Sequence, residues 1–174
     1  LAAEAAAELV EDGMLVGLGT GSTVAHFLQA LARRGLRLRC VATSLQTESA
    51  ARELGLPLEP FDELDRLDLA VDGADQVAPD RWLVKGGGAA HTREKIVAAA
   101  AERFVVIASA DKLVAALGPP IPLELLSYGV RATLARVGPA ELRDVPLSPD
   151  GGLIADYLGP VGDPAELAAR LAAT

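Results

Sequence analysis

The sequence predicts an α/β fold, a parallel sheet with helices on both faces, followed by a smaller α+β domain. Three observations predict it. Short apolar runs alternate with alanine-rich or amphipathic stretches along the first two thirds of the chain. The runs lack the in-out alternation of a half-exposed strand, so both of their faces are expected to be covered. Beyond residue 118 the texture changes to short apolar pieces punctuated by proline and glycine, beginning "GPPIPLELL".

The elements follow in order. Residues 1–11 are rich in Ala, Glu and Leu and read as a helix that Gly13 ends. "MLVGLG" (14–19) reads as a buried strand, and "STVAHFLQALARR" (22–34) as an amphipathic helix with Ser22 or Thr23 near its start. "LRCVATS" (38–44) is a second strand and "QTESAARELG" (46–55) a second helix, closed by Gly55. "LDLAVDGAD" (67–75) is a third strand with its exit loop, and "WLVKGGG" (82–88) a short strand running into glycines. "AAHTREKIVAAAAER" (89–103) is a helix, and "FVVIAS" (104–109) another buried strand. The domain boundary is expected near 120, with 1–120 as the larger domain and 121–174 as the small α+β domain.

Composition narrows the function. With 174 residues and 51% hydrophobic content the chain can build one good core, and at 3% aromatics that core must be Ala, Leu and Val. The net charge is −8, from 24 acids against 16 bases, and no basic run or aromatic-basic stripe occurs. Nucleic-acid binding is therefore not expected. Cys40 is alone, and the two histidines, His26 and His91, are far apart in sequence. No disulfide framework, metal site or cofactor is implied. No segment has the length and apolar purity of a membrane span, and no signal peptide is visible. The expectation is a soluble cytoplasmic protein.

In open α/β sheets ligands gather at the carboxyl ends of the strands, and four of these ends carry unusual residues. In "GLGTGSTV" (17–24), Gly17, Gly19 and Gly21 let the backbone come close to a ligand, and a helix follows at once. Thr20, Gly21, Ser22 and Thr23 then offer amides and hydroxyls to an anion, most often phosphate. The plainer reading is a tight, well-capped turn. A dinucleotide fingerprint would need glycine where Ser22 stands and an acid after the second strand, which ends in Thr43 and Ser44.

In "VDGADQV" (71–77), Asp72 and Asp75 bracket Gly73 and Ala74. One aspartate there would be a turn former. A pair suits the hydroxyls of a polyol. In "KGGGAAHTREK" (85–95), three consecutive glycines make sense where a loop wraps close to a ligand. Lys85 precedes Gly86, Gly87 and Gly88, and Glu94 lies early in the next helix. Arg93 and Lys95 flank Glu94, so spacing alone favours a solvated position for it. His91 reads equally as a base or as a packed helix residue. Lys112 ends "IASADK" (107–112), where an ordinary surface lysine is the plainer reading. The inventory as a whole suits proton transfer on a small phosphorylated polyol.

The ordered set GLGTGST (17–23), TS (43–44), DLAVDGADQV (68–77), LVKGGGAAHTREKI (83–96), IASADK, PIPLE (120–124), DGGLIAD (150–156) and GPVGDP (159–164) resembles ribose-5-phosphate isomerase of the A type. The resemblance spans essentially the whole chain, and DGAD followed closely by KGGG and REK is its specific part. It implies interconversion of ribose 5-phosphate and ribulose 5-phosphate through a cis-enediolate, without metal or cofactor. It implies a Rossmann-like domain with a smaller α+β domain, assembled as a homodimer or homotetramer.

By motif, Glu94 matches the family's catalytic base. Thr20–Thr23, Asp72–Asp75, Lys85–Gly88 and Lys112 match its substrate-binding segments, with Asp72, Asp75 and Lys85 also assisting the chemistry. Ser109 stands where the family usually has Asp, and His91 where it is usually apolar. The family pattern also places further residues before Leu1 and another strand and helix after Thr174. The rival reading is a sugar-phosphate-sensing domain of a transcription regulator, which shares the fold but needs no base. An aminosugar-phosphate deaminase or CoA-transferase relative fits the KGGG and REK segments less well.

Overall fold

A computed structural model describes residues Leu1–Thr174. Its elements, in chain order, are α1 (Ala2–Glu8), β1 (Leu15–Leu18), α2 (Ser22–Ala32), β2 (Arg39–Ala42), α3 (Leu45–Glu53), β3 (Leu67–Asp72), β4 (Gln76–Val77), β5 (Leu83–Val84), α4 (His91–Ala100) and β6 (Ala101–Val106). They continue with β7 (Ile121–Leu125), α5 (Val130–Val137), β8 (Ala140–Leu142), β9 (Leu153–Tyr157) and α6 (Pro164–Ala172). The chain forms two compact units, one of residues 1–74 with 92–110, the other of 75–91 with 111–174. The chain thus changes unit three times, where the sequence reading has a single boundary near 120.

The first unit holds the parallel sheet, in the order β2-β1-β3-β6. Register aligns Leu18 with Ala42 and Val71, and Val71 with Val105. The strands therefore end together, and the loops after β1, β2 and β3 leave from one edge. Side chains alternate across the sheet as the pleat requires. Val16, Leu18 and Cys40 pack with Phe27, Leu28 and Leu31 of α2 and Ala3, Ala6 and Ala7 of α1. Leu15, Val41, Leu67 and Ala70 pack on the other face with Val97 of α4. Leu67 is fully buried, and burying a leucine of this kind contributes about 1.5–3 kcal/mol. Gly17 sets how close α4 comes, because a Cβ there would stand 2.5 Å from Val97 Cγ1.

The second unit contains a three-stranded antiparallel sheet, β7-β9-β8, and a two-stranded ribbon, β4-β5. Val137, Tyr157 and Leu167 form its small core. Asp163 caps α6 by accepting the N–H groups of Ala165 at 2.8 Å and Glu166 at 3.1 Å.

Two elements differ from the sequence reading. The "WLVKGGG" strand is not part of the parallel sheet; β5 pairs antiparallel with β4. A parallel return needs a crossover of about a dozen residues or more, and residues 73–82 are too few. The helix expected over 89–103 ends at Ala100, because Ala101 already pairs with Leu67 in the sheet. Ladder pairing to β3 outcompetes helix propensity there.

Candidate active site

In the first unit the site is built from the loop after β1, the end of β3 and the start of α4. Asp72 is the last residue of β3 and only 3% exposed. Its Oδ1 accepts the Thr20 N–H at 3.0 Å and the Gly73 N–H at 2.7 Å. A buried carboxylate held by backbone donors has its charge met and its direction fixed. Thr20 is anchored a second time, its hydroxyl 2.9 Å from the Thr43 hydroxyl, and Thr43 in turn donates to the Leu18 carbonyl at 3.1 Å. Thr43, quoted with Ser44 among the motifs of the resemblance but given no role there, supports Thr20 from the loop after β2.

The glycines of this loop divide. A Cβ on Gly17 or Gly19 would run into Val97 or Asp72, so these two serve internal packing rather than the ligand approach expected of them. Gly21 has φ +112° and nothing near its Cβ position. It is the N-cap of α2 and supplies no side-chain cap, and Ser22 and Thr23 lie inside the first turn instead of capping it. Ser22 is exposed and Thr23 half-buried. The helix thus opens onto Thr20–Thr23 with amide donors that its cap residue does not satisfy.

Glu94 is in the first turn of α4 and 6% exposed. The solvated position that its charged neighbours suggested is therefore overturned. Helical geometry turns Glu94 toward the sheet on the face that also carries Val97, while Lys95 is exposed. A carboxylate this far from solvent is costly to bury unless its charge is met by partners.

The second unit carries Asp75, Lys85, the three glycines and Lys112. Asp75 is half-buried, and its Oδ2 accepts the Gly87 N–H at 2.8 Å. Its own N–H donates to Val84 O at 2.8 Å. The two aspartates, three apart in sequence, therefore serve different networks: Asp72 the loop after β1, Asp75 the glycine loop. Gly73 and Ala74 link them and are half-buried, with Gly73 near the Thr20 and Ile107 carbonyls. Gly86 is buried with φ +100°, and a Cβ there would overlap the His91 ring. Gly87 and Gly88 are exposed. Lys85 is half-buried directly after β5. Lys112 closes a 3₁₀ turn, with its Nζ 3.7 Å from Asp111 Oδ2.

Two further groups surround the glycine loop. Arg143 forms a two-pronged pair with Asp156, at 2.7 and 2.6 Å, and also donates to the Gly87 carbonyl at 3.2 Å. The hydrogen bonds of that pair hold Asp156 below the usual carboxylate range and raise Arg143. Nothing in the sequence marks Arg143, since its partners lie 13 and 56 residues away. His91 Nε2 is buried without a hydrogen-bond partner. Burial pushes the imidazole below its ordinary value; the Glu124, Asp156 and Asp75 carboxylates pull it up, and Arg143 pushes it further down. Elsewhere, burial pushes the Cys40 thiol up to about 12, which leaves no thiolate nucleophile. No group of three or more His, Cys, Asp and Glu is arranged to hold a metal ion. No helix is long and apolar enough to cross a membrane.

The family model for ribose 5-phosphate isomerase A (phosphoriboisomerase A) matches residues 39–174. Ribose-5-phosphate isomerase A of Caulobacter vibrioides is 48% identical over 187 aligned positions, covering 98% of this chain and 82% of the relative. The ribose 5-phosphate isomerase A structure from Methanocaldococcus jannaschii superimposes with a TM-score of 0.92 at 35% identity, over 98% of this chain and 83% of that one. A D-ribose-5-phosphate isomerase in complex with phospho-erythronic acid matches with a TM-score of 0.92 at 35% identity, over 99% and 83%.

Proposed function

The chain belongs to the ribose-5-phosphate isomerase A family, and from that membership we propose how its residues divide the chemistry. The reaction is the interconversion of D-ribose 5-phosphate and D-ribulose 5-phosphate. The relatives carry the isomerase name, which supports an enzyme over the sensor reading.

Glu94 is the base. The observation that carries this is its burial at 6% exposure in a turn whose other charged residues are more exposed. After ring opening, the Glu94 carboxylate takes the proton from C2 while the C1 carbonyl oxygen gains negative charge. The C2 hydroxyl proton passes to the C1 oxygen, and the same carboxyl group returns its proton to C1, leaving C1 as the alcohol and C2 as the ketone. General acid–base help of this kind supplies about 10²–10⁴ in rate. The enediolate's oxygens need donors in place beforehand, and Lys85, Lys112 and the amides of Gly86–Gly88 are suited to supply them. Asp72 and Asp75 bind sugar hydroxyls and carry protons during ring opening. The amides and hydroxyls of Thr20, Gly21, Ser22 and Thr23, at the start of α2, hold the phosphate and so fix the far end of the substrate. The working assembly is a homodimer or homotetramer, and the enzyme acts in the cytoplasm on the pentose phosphate pathway.

The test is Glu94→Gln, assayed for ketose formation from ribose 5-phosphate with EDTA present. Turnover should fall by at least about 10²-fold, while calorimetric binding of the sugar phosphate persists. Undiminished turnover in this variant removes Glu94 from the role. Loss of wild-type turnover in EDTA would instead point to a metal.

A further inference from the structure

We propose that Arg143, clamped by Asp156, is a positioning residue that sets the shape of the Gly86–Gly88 loop. The proposal rests on the reading of that loop as part of the substrate site. Three contacts define it. Arg143 is tied to β9 through its backbone, donating from its N–H to the Ile154 carbonyl at 2.8 Å. Its guanidinium spends Nε and Nη2 on the two Asp156 oxygens, and Nη1 remains to reach the Gly87 carbonyl at 3.2 Å. The other side of the same residue, the Gly87 N–H, is taken by Asp75. Gly87 is thus held at both its N–H and its C=O by charged side chains, while the His91 ring fills the space beside Gly86.

A glycine run has no conformation of its own, because every residue in it samples both signs of φ at little cost. Without outside contacts the loop's amides would point in many directions, and a donor that must turn toward the substrate during the reaction gives up its advantage. The Arg143 and Asp156 side chains are each 21% exposed. Burying such a pair brings little net stability, so a role in orienting the loop explains why it is kept there. The planar fork explains the choice of arginine: it meets both carboxylate oxygens and still has a nitrogen left for the carbonyl, which a lysine ammonium cannot do in one geometry.

The experiment uses the full chain with Arg143→Ala, Asp156→Asn and the double variant, each checked for a native circular-dichroism spectrum and melting transition. Misplacement of catalytic groups by about 1 Å costs on the order of 10²-fold, so kcat on ribose 5-phosphate should fall by about that factor. The double variant should be no worse than Arg143→Ala, since both changes remove one device. Millimolar guanidinium should restore part of the Arg143→Ala activity, an effect that a merely structural arginine would not show. Amide hydrogen exchange at Gly86–Gly88 should speed at least tenfold in each variant, with β1 and β3 unaffected. Folded variants with kcat within twofold of wild type, or with loop amides exchanging at the wild-type rate, overturn the proposal. If the wild-type chain itself turned over no ribose 5-phosphate, the functional reading would fail, and the exchange rates would still decide whether Arg143 orders the loop.

Discussion

Gly19 leaves open the space that the Asp72 carboxylate occupies: a Cβ at position 19 would overlap both Asp72 Cγ and Oδ1. The glycine is needed because a neighbouring strand's last side chain turns back across the loop. The buried aspartate can then collect the Thr20 and Gly73 amides.

Gly19→Ala should therefore act through Asp72. The added methyl forces the carboxylate off its two amide donors, at an overpacking cost of about 1–3 kcal/mol. The expected outcome is a drop of about 10²-fold in kcat/KM for ribose 5-phosphate. Steady-state kinetics beside a melting curve measure both effects, and unchanged kcat/KM would show that Asp72 tolerates displacement.

Gly17 makes a parallel prediction for the base. A methyl at 17 meets Val97, which sits on the same helix as Glu94 and one turn beyond it. Gly17→Ala should lower both stability and kcat. Val97→Ala added to it should recover part of the loss, because the two changes share one space. Chemical denaturation of the single and double variants reads the coupling; strict additivity would mean that α4 has moved instead of Val97.

His91 should make stability depend on pH. Burial depresses its pKa below the ordinary 6.5. The imidazole is thus neutral in the fold near pH 7, and its contribution is fully present above 6.5. As pH falls through the depressed value the unfolded chain binds the proton more readily, and stability is lost. Asp156 has its own carboxyl pKa lowered, so its contribution fades only at more acidic pH. Scanning calorimetry should show the melting temperature falling as pH drops below 6.5. His91→Leu should flatten that fall; an unchanged slope would assign it to another group.

Asp163 tests the small core apart from the chemistry. It caps α6 through two amides, and Asp163→Ala should cost about 1 kcal/mol. In a chain of this size that is a fall of about 2–4 °C in melting temperature. Kinetic constants should stay within error, and a large activity loss would tie α6 to the site.

The central part of the fold was legible because parallel strands announce themselves as apolar runs separated by helices. β1, β2 and β3 lie within the runs that predicted them, and the loops beyond them carry the glycines and aspartates that drew attention. The β5 ribbon was misread because an apolar tripeptide before glycines looks the same whether it pairs in parallel or antiparallel. Local sequence does not contain the partner strand.

By itself the sequence determined the residue types of the site and their order along the chain, and through them the family. Local chemistry was enough for this: glycines, paired acids and a glutamate in a helix are read without knowing what they touch. Only the tertiary structure decided which way each one points. It buried Glu94 despite its charged neighbours, gave Asp72 and Asp75 to different networks, turned Gly17 and Gly19 to internal packing, and brought Arg143 to Gly87. The physical reason is that burial and hydrogen bonding depend on contacts between residues distant in the chain, and no short window of sequence holds both partners.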